Sequence, residues 1–252
     1  MNKSVVVVGL GEMGSVFARG FLRSGYTVVP VIRGVEMQTV ADQITNPELV
    51  LIAVGEADLH EQLAKLPEAW KDKLVLLQNE LLPRDWQQYD IEPTVISVWF
   101  EKKKGQDSKV IIPSPVYGKH AQHVVDALAS IGIAASVLSD EEALLHELVL
   151  KNVYILTSNI AGLEVGGNVG QLWDEHKTIA NAVAAEVIRL QEALAGKTLI
   201  HQALINGMVA AINGDREHMC MGRSAAMRLQ RALSLATEND LSLPMLERIS
   251  KL

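Results

Sequence analysis

Apolar positions along this 252-residue chain fall into two textures. Up to residue 138 they come as short runs of branched residues, each closed by glycine, proline or charge, a pattern that marks buried strands. Runs at 3–8, 27–32, 49–54, 73–78 and 94–100 read as five strands, and 109–112 and 133–137 as two more. Helical spacing fills 15–24, 58–66 and 117–131 between them. Strand and helix in alternation predict a parallel sheet covered on both faces. From Ser139 the texture changes. Ser139-Asp-Glu-Glu142 is a helix start with a serine cap and acids in the first turn, and 141–163, 172–194, 198–213 and 219–238 read as helices. The expected organisation is therefore an α/β domain over residues 1–138 and an all-helical domain over 139–252.

Where the first strand meets the first helix, the sequence is Gly9-Leu-Gly11-Glu-Met-Gly14. A GxGxxG after a strand and opening a helix, with a second strand following at once, is the pattern of a dinucleotide loop. Gly9 serves a tight turn, Gly11 lets the backbone approach a diphosphate, and Gly14 lets helix and strand pack closely. The helix start offers unpaired N–H groups and a positive dipole end to the phosphates. These features make the first domain a Rossmann-type, doubly wound parallel sheet, with Gly9, Leu10, Gly11, Glu12, Met13 and Gly14 against the cofactor. The second strand ends on Arg33, where an NAD site carries an acid; an arginine there suits the 2′-phosphate of NADP. A solvated arginine at a strand end is the plainer reading of the same residue.

Composition narrows the rest. A hydrophobic share of 48% supports a sizeable core, and no apolar stretch is long enough to span a bilayer, so a cytoplasmic protein that binds no membrane is expected. A net charge of −7 argues against a nucleic-acid partner. The only basic run, Lys102-Lys-Lys104, reads as a solvated edge. The single cysteine, Cys220, excludes an internal disulfide and a multi-cysteine metal site, and it reads as a small buried hydrophobe rather than a reactive thiol. No metal is expected. A homodimer is the commonest symmetric assembly and is the default here.

A nicotinamide enzyme needs a group to fix the substrate and a group to exchange a proton. Asn79, after the fourth strand, stands at the sheet end where ligands bind, and offers both donor and acceptor. It suits a helix cap or turn equally. The helix beginning at 141 carries His146, Lys151, Asn152, Ser158 and Asn159 among Leu144, Leu145, Leu148, Val149, Ile155 and Leu156. Lys151 and Asn159 lie about 80° apart around the helix, near enough to flank one opening. A lysine there can protonate a developing alkoxide, or simply snorkel from an apolar stripe. His146 reads as a core histidine. A sheet that holds a cofactor beside a helical domain would place the substrate in the cleft between the two.

Taken in order, these segments resemble the ketopantoate reductase family, NADPH-dependent enzymes that reduce 2-dehydropantoate to pantoate in pantothenate biosynthesis. The likeness rests on the glycine loop with Arg33, Leu77-Gln78-Asn79, Lys151 with Asn159, Asn168-Val-Gly170-Gln-Leu172, and Asp240-Leu-Ser-Leu-Pro244. It implies that Lys151 is the general acid, that Asn79 helps hold nicotinamide and substrate, and that Asn159 binds substrate. Four positions depart from the pattern. Ile155 stands where the family's helix has a second asparagine, and Glu80 where it has glycine. Gly55-Glu56 replaces a basic residue after the third strand, and Arg223-Ser224 falls where a substrate-gripping glutamate belongs, leaving Arg223 and Ser224 as substitute substrate-binding residues. Losing buried hydrogen bonds to a small polar substrate changes specificity by orders of magnitude. The resemblance thus implies an NADPH-dependent reductase of a 2-oxo acid with an altered pocket. Another hydroxyacid-dehydrogenase-type oxidoreductase and a non-catalytic NADP-binding sensor or interaction protein are the alternatives.

Overall fold

The computed structural model describes residues 3–252, which divide into two compact units, one ending at Glu147 and the other spanning Leu148–Leu252. The division falls inside the long helix that opens after Ser139, later in the chain than the change in texture.

The first unit is built on β1 (Ser4–Val8), β2 (Thr27–Val31), β3 (Leu49–Ile52), β4 (Leu74–Leu76) and β5 (Thr94–Ile96). These pair in parallel in the spatial order β2-β1-β3-β4-β5. Val5 to Val8 and the whole of β3 are buried, because a central parallel strand has both faces covered. α1 (Glu12–Arg23) lays Phe17 and Phe21 on one face of the sheet and meets α5 (Ala121–Ala129) at Gly20; between them come the short α2 (Met37–Ala41), α3 (Leu59–Ala64) and α4 (Arg84–Gln87). A Cβ on Gly20 would lie 2.5 Å from the Ala127 carbonyl oxygen, so the two helix backbones touch.

Two expectations are corrected in this half. The run at 94–100 is not one strand: its end, β6 (Phe100–Glu101), pairs only with β7 (Lys109–Val110) in a separate two-stranded ribbon. Tyr117 does not open a helix either. It ends β8 (Ser114–Tyr117), which runs antiparallel to β5 and parallel to β9 (Ala135–Val137). Gly118 breaks the chain there with φ 120°, its α-carbon so close to Thr94 that a Cβ would lie 2.7 Å from the Thr94 Cα. The Thr94 hydroxyl then accepts from the His120 N–H at 2.8 Å, and α5 starts four residues later than its apolar spacing suggests.

Every long element after Ser139 is helical. α6 (Glu141–Val165) is followed by α7 (Val169–Glu175), α8 (Lys177–Ala195), α9 (His201–Gly214), α10 (Ala225–Glu238) and α11 (Pro244–Ile249). The helix expected over 172–194 is two, because His176 leaves helical geometry at φ −124°, ψ 30° and lets the chain turn. Asn168 and Gln171 form a reciprocal capping box that starts α7. Residues 219–224 were expected to be helical and are not. The Cys220 N–H donates to the Gly167 carbonyl at 3.0 Å and the Val169 N–H to the His218 carbonyl at 2.8 Å, so this stretch is spent on a bridge to the start of α7. α11 docks on a buried acid: Glu186 of α8 accepts from the Met245 N–H at 2.9 Å and the Leu246 N–H at 3.0 Å. Those amides have no intrahelical partner, and the carboxylate supplies one.

Candidate functional site

The strand order reverses at β1, which has β2 on one side and β3 on the other. In open α/β sheets ligands bind beyond the carboxyl ends of the strands at this switch. Residues Gly9–Gly14 after β1 and Ala53–Glu56 after β3 flank it here. Gly9 has φ 90°, and a Cβ on it would lie 2.8 Å from the Ala53 carbonyl oxygen. Its N–H donates to the Val31 carbonyl at 2.9 Å, tying the loop to the end of β2. A Cβ on Gly14 would lie 1.9 Å from the Gly9 carbonyl oxygen, so helix and loop are in backbone contact.

Gly11 differs from both. It caps α1 with φ −71° and ψ −167° and no side-chain hydrogen bond to the helix start, and a Cβ built on it meets nothing within 4 Å. Open space thus faces an uncapped helix N-terminus. That combination fits a diphosphate laid against backbone amides, and only a residue without a side chain leaves the approach clear. Leu10, Gly11 and Glu12 are exposed and Met13 is half-buried. Arg33 is exposed two residues beyond Val31, at the end of the strand that the loop is tied to.

The end of β4 is stapled to the end of β3. Gln78 is buried, and its Nε2 donates to the carbonyls of Ile52 at 2.8 Å and Val54 at 3.2 Å. Next to it, Asn79 donates from Nδ2 to Glu56 Oε1 at 2.9 Å. Asn79 is thus brought to the switch-point residues, with its amide oriented by an acid where the family resemblance has a basic residue. Glu80, which stands where the resemblance has glycine, takes φ 61° and keeps the left-handed backbone that glycine favours.

In the helical unit, α6 carries the buried polar residues Lys151, Asn152, Thr157, Ser158 and Asn159. Lys151 is only 6% exposed. Asn152 donates to Gln191 Oε1 at 2.9 Å and is a structural residue. Asn159 is engaged at both ends: Nδ2 donates to the Cys220 carbonyl at 3.0 Å, and Oδ1 accepts from Arg228 Nη1 at 2.8 Å. Ile155 is half-buried in the same helix, and Ser158 bonds back to its carbonyl at 3.1 Å. Arg223 is exposed and Ser224 half-buried at the start of α10. The arginine that reaches Asn159 is instead Arg228, one turn along α10 from Ser224, whose carbonyl accepts its N–H at 2.9 Å. Sequence reading missed it because an arginine on an amphipathic helix looks like any solvated one. Cys220 is fully buried, and burial pushes its thiol pKa up to about 11, so it is no nucleophile at neutral pH.

Lys102 corrects an expectation. It is not part of a solvated edge: its side chain is 19% exposed and its Nζ lies 3.4 Å from Glu12 Oε2 at the first turn of α1. No group of three or more His, Cys, Asp or Glu side chains among the described residues could hold a metal, and no described helix is long and apolar enough to cross a membrane.

Fold and loop together define a Rossmann-type sheet with a glycine-rich turn at its switch point, followed in the chain by a helical unit. No protein-family model and no curated protein matches the sequence. Among solved structures the particular fold is that of the ketopantoate reductases. A dimeric ketopantoate reductase from Staphylococcus aureus aligns with TM-score 0.67 and 15% identity over 98% of this chain and 96% of its own. A probable 2-dehydropantoate 2-reductase from Bacillus subtilis gives TM-score 0.69 and 14% identity over 98% of each chain. D-mandelate dehydrogenase in complex with NADH gives 0.64 and 14%, over 98% of this chain and 96% of that one. The likeness read from the motifs thus extends to the fold from end to end.

Proposed function

We propose that this chain is an NADPH-dependent reductase of a small 2-oxo acid, with Lys151 as general acid. The observation that carries the reading is Gly11, an uncapped helix start facing open space at the switch point of the sheet, with Arg33 at the end of the adjoining strand. NADPH, when bound, supplies the hydride. The amides at the start of α1 hold its diphosphate, and the guanidinium of Arg33 pairs with the 2′-phosphate. Asn79, its Nδ2 committed to Glu56, offers Oδ1 as the acceptor toward nicotinamide or substrate. Lys151 gives its proton to the ketone oxygen of the substrate as the alkoxide forms. Solved structures with this fold include both 2-dehydropantoate reductases and a mandelate dehydrogenase, enzymes of 2-oxo and 2-hydroxy acids, which supports the substrate class. Asn159 is held by Cys220 and Arg228, and the Ile155 side chain cannot hydrogen-bond, so the reading is of a 2-oxo acid reductase whose pocket is altered from the family pattern.

Loss of NADPH absorbance with a panel of 2-oxo acids, 2-dehydropantoate included, tests the reading. Lys151→Ala is expected to lower kcat by about 10²–10⁴-fold while leaving the Kd for NADPH unchanged. Equal turnover by the variant would refute Lys151 as the acid. NADPH binding without turnover of any acid would favour the cofactor-sensing alternative.

A further inference from the structure

Glu12 poses a physical problem for the loop it sits in. A carboxylate in the first turn favours the α1 dipole, yet it stands where a doubly charged diphosphate must approach. The structure supplies a counter-charge from elsewhere in the chain. The ribbon of β6 and β7 is anchored on α1 by Phe100, whose ring lies 6.0 Å from that of Phe17. Lys102, the next residue but one, extends its ammonium to Glu12 Oε2 at 3.4 Å and closes its own loop by donating to the carbonyls of Lys103, at 2.9 Å, and Gln106. The ammonium thus has two carbonyl acceptors in its own loop and an ion-pair partner in the acid of the glycine loop.

We propose that Lys102 is a positioning residue of the dinucleotide site: it neutralises Glu12 and so keeps the start of α1 receptive to an anion. It acts through Glu12 and does not touch the phosphates. This inference rests on the dinucleotide reading above. The partnership does what a basic residue after β3 would do in the family pattern, from a different element and by removing a repulsion.

A double-mutant cycle read by NADPH fluorescence titration tests it. Lys102→Met is expected to weaken NADPH binding by about three- to tenfold at low salt, with the deficit shrinking as ionic strength rises. Glu12→Gln alone, which leaves the Lys102 charge uncompensated beside the loop, is expected to bind NADPH more tightly than the unaltered chain at low salt. The double variant should return to within about twofold of the unaltered chain, and Lys102→Arg should bind normally. Rescue by Glu12→Gln separates charge compensation from loss of the loop, since removing an acid does not return a donor to the carbonyls of Lys103 and Gln106. If Lys102→Met binds normally, or the double variant stays as weak as Lys102→Met, the proposal is overturned. Failure of the unaltered chain to bind NADPH would instead overturn the dinucleotide reading itself.

Discussion

Gly11 and Gly14 lie three residues apart in one loop, and the structure predicts opposite consequences for the same added methyl group. At Gly14 the new Cβ falls 1.9 Å from the Gly9 carbonyl oxygen, a backbone atom that no side-chain rotation can move. Overpacking of this kind costs about 3 kcal/mol or more, and for a chain of this size that lowers Tm by roughly 6–12 °C. At Gly11 the methyl meets nothing and φ −71° suits alanine. Alanine there loses about 0.5–1 kcal/mol as a helix cap and regains about 0.4–1 kcal/mol through the unfolded chain, so Tm should hardly change. The methyl would, however, stand in the space that the diphosphate needs. Losing charge-assisted bonds to backbone amides at about 1.5–3 kcal/mol raises Kd roughly ten- to a hundredfold. Thermal unfolding with and without NADPH measures both effects together. At a concentration near 100 times the Kd of the unaltered chain, the ligand adds about 2.7 kcal/mol to that chain but only about 0.4–1.4 kcal/mol to Gly11→Ala. A Gly11→Ala variant stabilised by NADPH as much as the unaltered chain would show the loop to be an ordinary turn.

Three further outcomes are expected. Glu186→Ala removes two charge-assisted bonds to the start of α11 and should destabilise the chain by about 2–4 kcal/mol in urea unfolding, while Lys251→Ala on the exposed tail should change nothing measurable. His120 has its pKa lowered, chiefly by burial, so its neutral form is favoured in the fold. That stability is present above the ordinary histidine value of about 6.5 and is lost as pH falls through the lower, folded value, so His120→Gln should flatten the acid side of the stability profile. Cys220, fully buried with its thiol pKa at about 11, should react with iodoacetamide at neutral pH only at the rate of unfolding, and a fast reaction in the native state would contradict its burial.

The elements that could be read from the sequence are those whose local pattern and tertiary environment agree. β1, α1 and β2 lie within a few residues of their expected bounds because glycine spacing and apolar runs both dictate them. β8 was missed because Pro113 and Pro115 disguise a strand, and its antiparallel direction comes from pairing with β5, which no local pattern encodes. Residues 219–224 have helix-compatible composition, but Cys220 is captured by a hydrogen bond to Gly167, a partner about fifty residues earlier. The same holds for the site. The glycines and Arg33 were legible because the loop is continuous in sequence. Lys102 and Arg228 were not, because each acquires its meaning from a partner, Glu12 or Asn159, that the fold brings to it.

The clamp of Glu186 on α11 has a consequence for the order in which the molecule is made. Its partners, the amides of Met245 and Leu246, follow it by 59 and 60 residues. At synthesis rates of about 5–20 residues per second, α8 exists for roughly 3–12 s before they are joined to the chain. Through that interval the carboxylate must keep its water, since burying it unpaired would be costly. The helical unit therefore closes late, and translation itself sets the earliest moment at which its core can dry.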